Sequence, residues 1–219
     1  MSYPIGTISD IATVISGYAF KSSWFGFGND KVIRIGDLQN GVVDLSDAKC
    51  IDSSEHSISE NYRIKKGDVL MALSGATVGK IAVVDSLSSG ALLNQRIAII
   101  RGHNEVNASY LKYLFEGELM QRLLNSAGGA AQPNLSPKAL LTVEIPIPSQ
   151  DEQKRIAAIL DKADEIKSSS KSVPHLRQQL ILSTFNEMFG DLRINSKSWL
   201  EKSISELCDR VNVGYVGPL

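Results

Sequence analysis

Ile145-Pro146-Ile147-Pro148-Ser149-Gln150-Asp151-Glu152-Gln153-Lys154-Arg155-Ile156 is where one kind of structure ends and another begins. Pro146 and Pro148 lack an amide hydrogen and hold their neighbours extended, so this stretch opens as strand-like backbone. Ser149 with Glu152 three residues later forms a capping box, in which each side chain satisfies an orphan amide at a helix start. Beyond it Ile156, Ile159, Leu160, Ala163 and Ile166 recur at three- and four-residue steps. That is the seam of an amphipathic helix made to pack on another helix.

Downstream, the helix is polar outside its seam and weakens at Ser168-Ser169-Ser170, and Pro174 interrupts it. Leu176, Leu180, Ile181, Phe185 and Met188 then resume an apolar face that Gly190 ends. A break or kink is expected near Val173. Taken as one element, about 40 helical residues at ~1.5 Å each span about 60 Å, which suits a coiled-coil-like spacer better than the core of a small domain.

Upstream lie short β-branched runs at 32–35, 42–45, 69–73, 80–84 and 96–100, separated by turn residues at Asn40-Gly41, Lys66-Gly67-Asp68 and Ser88-Ser89-Gly90. Asn40-Gly41 between apolar runs predicts a hairpin. A helix is expected from Ala108 to Asn125, capped by Asn107, with Leu111, Leu114, Phe115, Leu119 and Leu123 on one face and Gly128-Gly129 as its stop. Ser136-Pro137 opens a short helix, and 143–147 returns to strand. The fold class is therefore α+β: many short strands, curled or barrel-like, with flanking helices, followed by a long spacer helix.

At 219 residues the chain has room for one or two domains, and no apolar run approaches the roughly 20 residues of a membrane span. Met1 to Gly6 carries no secretion-signal pattern. Cys50 and Cys208 make no disulfide framework and suit unpaired thiols in a reducing cytoplasm. Net charge is −1, and residues 1–148 hold thirteen Lys/Arg against fourteen Asp/Glu. Phosphate binding needs clustered cations, so any nucleic-acid affinity must come from a local patch or from a partner's cations.

No catalytic set is visible. His56, His103 and His175 are scattered without ligand spacing, which predicts no metal site. Ser74-Gly75-Ala76-Thr77-Val78-Gly79-Lys80 has three residues between its glycines where a phosphate loop needs four, and Ile81 follows the lysine. A tight turn between strands is the simpler reading.

Several of these segments carry a family resemblance. The junction extended to Ile166, the Gly67–Val84 strand–turn–strand, the Gln132-Pro133-Asn134-Leu135 loop, Asn94-Gln95-Arg96, the Gly17–Phe25 stretch and Phe185-Asn186-Glu187-Met188-Phe189-Gly190-Asp191 resemble specificity subunits of type I restriction-modification systems. The resemblance implies a target-recognition domain at 1–148, a helical spacer and dimerisation region at 149–190, and the start of a truncated second recognition domain at 191–219. Ser203-Ile204-Ser205-Glu206-Leu207-Cys208 echoes Thr7-Ile8-Ser9-Asp10-Ile11-Ala12, in keeping with that restart. It further implies a non-enzymatic reader of one half of a bipartite site in double-stranded DNA, docked by methyltransferase subunits that bring S-adenosylmethionine and a restriction subunit that uses ATP. The chain is then either truncated or a half-subunit that must form a homodimer through Ile156, Ile159, Leu160, Ala163, Ile166, Leu180 and Phe185. Candidate DNA contacts are Lys21, Ser23, Thr77, Lys80, Arg96, Gln132 and Asn134, each weighed against a plain turn or surface role; Gln and Asn suit adenine. Two other classes stay open: an oligomerisation module with a vestigial globular part, and a DNA-modifying enzyme in its own right.

Overall fold

The computed structural model describes residues 3–103, 106–126 and 134–208, without the side chains of residues 171 and 172. The chain divides into two compact units, residues 1–163 and 164–219.

The first unit is built on a six-stranded sheet. Its order is β2 (Ala12–Ser16), β10 (Ile97–Gly102), β7 (Val69–Ala72), β8 (Ile81–Val83), β5 (Gly41–Val43), β4 (Leu38–Gln39). All its pairs are antiparallel except β5 with β8. A three-stranded sheet orders β6 (Lys49–Ile51), β3 (Asp30–Ile33) and β9 (Leu92–Leu93), and β1 (Ile5–Thr7) pairs with β11 (Glu144–Pro146). The large sheet is open, with β2 and β4 at its edges, rather than a closed barrel.

The central strands read as continuous apolar runs because both of their faces are covered. Val69, Met71, Ala98 and Ile100 pack toward α2 (Ala108–Glu116) and α3 (Glu118–Ser126) through Leu111, Phe115, Leu119 and Leu123. On the other face Leu70, Ile97 and Ile99 meet Ile33, Leu38, Ile64 and Leu93. Phe20, Val32, Ile51 and Leu92 form a third cluster lined by Tyr18, Trp24, Phe25 and Tyr62.

The Asn40-Gly41 hairpin forms as expected, with φ of 51° and 80°. Asn107 caps α2, and Ser136-Pro137 starts α4 (Pro137–Leu141). The single helix expected over 108–125 is instead two, because Gly117 adopts an extended conformation between them (φ −93°, ψ −154°). Gly128-Gly129 lie outside the described residues.

α5 runs from Gln150 to Phe189 and remains helical through Pro174, so the interruption expected near Val173 does not break the helix. A helix tolerates the lost amide where both sides are strongly helical, at a cost of about 3 kcal/mol relative to alanine. The capping box at its start is half made. Ser149 Oγ accepts from the Glu152 amide at 3.4 Å, but the Glu152 carboxylate takes Tyr3 Oη at 2.7 Å and Arg155 at 2.7 and 2.8 Å. Charge-assisted bonds from Arg155 are stronger than a bond from the Ser149 amide. Residues 150–163 belong to the first unit, with Gln153 and Ala157 buried there and Tyr113 Oη donating to Asp161 at 2.8 Å.

In the second unit Gly190 closes the helix with φ 75°. Trp199 Nε1 donates to the Phe189 carbonyl at 3.1 Å, and Phe189 packs against Phe185 and Trp199. α6 (Ile204–Leu207) repeats the local geometry of α1 (Ile8–Ile11). Each has a hydroxyl N-cap, a carboxylate three residues on bonding the cap amide (2.7 Å in α1, 3.0 Å in α6), and an extended C-cap. Their apolar pairs differ: Ile8 and Ile11 are buried, whereas Ile204 and Leu207 are each 67% exposed.

Candidate nucleic-acid interface

Four separate segments meet at one end of the six-stranded sheet, where β2 and β7 finish and β8 and β10 begin. Backbone bonds staple them. The Tyr18 amide donates to Leu93 O at 2.7 Å, and Gln95 N to Tyr18 O at 3.0 Å. Leu73 N donates to Arg96 O at 2.8 Å, and Leu135 N to Leu73 O at 2.8 Å. Within the turn, Gly79 N donates to Ala72 O at 2.8 Å and Lys80 N to Thr77 O at 3.0 Å, while Ser74 bridges to Asn134. Gly17 is required by this closeness: a Cβ there would lie 2.3 Å from both Leu93 O and Asn94 O.

These staples bring six of the seven predicted contact residues to one end or to the loop leaving it. Thr77 and Lys80 lie on the turn, Thr77 exposed and Lys80 half-buried. Arg96 and Asn134 are exposed on the adjoining segments, and Lys21 and Ser23 are exposed on the stretch that leaves β2. Gln132 lies outside the described residues. Sequence reasoning quoted Asn94-Gln95-Arg96 and the Asn40-Gly41 turn but named neither Gln95 nor that turn as a contact, though both lie at this end. Gln95 had a signal, an amide side chain beside Arg96; the hairpin's position depends on the parallel pairing of β5 with β8.

The fold's arginines divide by partner. Arg101 binds Asp68 at 2.7 Å through both Nε and Nη2, and that bond holds the guanidinium charged. Arg63 bridges Asp30 at 2.8 Å and Glu60 at 3.1 Å. Ser53 and then Arg63 bond the Asp30 carboxyl and lower it below its ordinary range, against the effect of burial. By contrast Lys21, Lys80 and Arg96 have no ion-pair partner among the described residues. Lys65 and Lys66, ahead of β7 at the far end, also have no ion-pair partner among the described residues, so a missing partner alone does not select a face.

The seam residues of α5 are mostly uncovered. Ile159 and Ile166 are 56% and 61% exposed, and Leu160, Ala163, Leu180 and Phe185 are exposed as well. Ile156 is half-buried on the first unit, beside Ala157, rather than on the open seam.

The sequence pattern of the family described as "Type I restriction modification DNA specificity domain" matches residues 3–174. The chain belongs to that family. It is 25% identical over 191 residues to the specificity subunit of the type I restriction enzyme EcoAI of Escherichia coli, covering 82% of this chain and 32% of that protein. It is 32% identical over 127 residues to the MjaIX specificity subunit of Methanocaldococcus jannaschii, covering 58% of this chain and 28% of that one. Its fold is similar to that of the HsdS subunit from Thermoanaerobacter tengcongensis, with a TM-score of 0.61 at 21% identity, over 78% of this chain and 40% of that chain. The chain spans less than half the length of each of these proteins. No helix among the described residues is long and apolar enough to cross a membrane.

Proposed function

We propose that the chain reads one half of a bipartite DNA sequence as a specificity component of a type I restriction-modification complex in the cytoplasm. Membership of the specificity-domain family over residues 3–174 is the observation that carries this. The stapled sheet end, where Lys80 and Arg96 have no ion-pair partner among the described residues, supplies the surface. Bases are read by side chains from Thr77, Gln95 and Asn134, while Lys21, Lys80 and Arg96 meet phosphates.

The chain is not itself the catalyst in this reading. Methyltransferase subunits dock on it and bring S-adenosylmethionine, and a restriction subunit brings ATP and nuclease chemistry. Its near-neutral charge favours an assembly in which partners make most phosphate contacts. The uncovered seam at Ile159, Ala163 and Ile166 supports pairing of α5 with a second such helix. The match of α6 to α1 supports residues 191–219 as the opening of a second recognition domain.

The test is a footprint on genomic sites whose adenines are modified only when this gene is present. Weak binding by the chain alone is expected, becoming site-selective when the methyltransferase subunit is added. A footprint that ignores sequence in the presence of that subunit overturns the proposal.

A further inference from the structure

A cleft on the first unit opens beside the stretch that leaves β2. Ser23, Trp24, Phe27, Asp52, Glu55 and His56 line about 240 Å³ of it. Trp24 and His56 stack with ring centroids 3.7 Å apart and planes 17° from parallel. Phe27 forms the lip and is 73% exposed. Its outward position is built by the backbone. Gly26 and Gly28 flank it at φ 106° and 77°, the Gly26 amide bonds Cys50 O at 3.1 Å, and a Cβ on Gly28 would sit 2.3 Å from Ile51 O.

Two carboxylates, Asp52 and Glu55, stand among the polar groups of the cleft, with Ser23 and His56. Glu55 has no ion-pair partner among the described residues. Asp52 uses Oδ1 to accept from the Ser54 amide and hydroxyl, which leaves Oδ2 unengaged among those residues. His56 covers one face of Trp24, so the ring left open at the lip is that of Phe27; aromatic faces attract cations through their quadrupole, and adjacent carboxylates add a direct charge term. The same carboxylates repel phosphate, so the cleft is a poor place for a nucleic-acid backbone.

We propose that this cleft receives an arginine or lysine side chain of a partner protein, with guanidinium the better fit because it is planar and stacks on rings. A protein is the occupant because a free small cation would leave the Phe27 lip in water, whereas a docked chain covers it. Lys21, whose Nζ lies 5.8 Å from the Trp24 ring centroid, stands at the rim and competes with the incoming charge.

The test uses the full chain with Trp199→Phe, which leaves Trp24 as the sole tryptophan. A blocked Gly-Arg-Gly peptide should change Trp24 fluorescence saturably, and its neutral isostere with citrulline should not. Glu55→Gln should weaken the arginine peptide roughly five- to tenfold, Phe27→Ala should also weaken it, and Lys21→Ala should leave it as tight or tighter. For a DNA duplex the order reverses, with Lys21→Ala weakening and Glu55→Gln not. Equal response to citrulline, indifference to Glu55→Gln, or displacement of the peptide by duplex that Glu55→Gln strengthens would each overturn the proposal.

Discussion

Asp37 and Asp68 solve one problem twice. Each carboxylate accepts the amide three residues earlier, from Arg34 at 2.8 Å and Lys65 at 2.7 Å, and each backbone amide donates back to that residue's carbonyl. The Gly-Asp turns that lead into β4 and β7 are thereby locked. Asp68 is 2% exposed and also holds Arg101. Asp68→Ala removes both functions and strands a mostly covered guanidinium. A loss of about 2–3 kcal/mol is expected in urea unfolding, below the usual cost for a fully buried pair because Arg101 is partly wet. Gly17→Ala forces Leu93 and Asn94 away from Tyr18, and should cost about 1–3 kcal/mol while weakening DNA binding. At the unit's other strand–helix joint, Arg155 and then Tyr3 hold the Glu152 carboxyl at about 2, against an ordinary 4.5. A depressed carboxylate stabilises above its ordinary value and loses that contribution as pH falls through its folded one. Carboxyl NMR should therefore show Glu152 titrating near the lower value, and Tyr3→Phe should move its midpoint upward.

Among the elements, the central strands and β11 were legible and the other edge strands were not. β7 and β10 are buried on both faces and stand out as apolar runs. β1, β6 and β9 are two or three residues long, and pairing across the sheet, not composition, makes them strands. The helices erred in opposite directions. Gly117 split an element whose apolar period runs straight through it, while Pro174 failed to split one. An alanine at 174 restores an amide for the helix without disturbing packing, since the position is exposed. Pro174→Ala should stabilise α5 by about 3 kcal/mol at most, visible as a higher melting midpoint in far-UV circular dichroism. Ile159→Asp with Ile166→Asp should abolish self-association and leave the first unit folded; a retained dimer in sedimentation would remove helix pairing from the proposal.

For the whole molecule, charge is decided locally. Most of the first unit's arginines are consumed by carboxylates, and the unpaired cations at one end are few. Binding to DNA should accordingly be weak and salt-sensitive. Lys80→Ala and Arg96→Ala should each reduce the slope of log K against log salt by about 0.9 if the lost contact is to phosphate. Replacing Asn134 by alanine should instead cost about 1–3 kcal/mol at one base position and leave that slope unchanged.

The sequence by itself determined the strand–helix junction, the capped helix starts, the apolar seam and the family. Each of these is a local pattern of backbone restriction or periodicity. Only the tertiary structure decided that residues near positions 18, 77, 95 and 134 share one end of a sheet, because their proximity rests on backbone bonds between distant segments. It also decided which cations stay free, since Arg63 and Arg101 resemble Arg96 in sequence and differ only in the carboxylates that folding brings beside them.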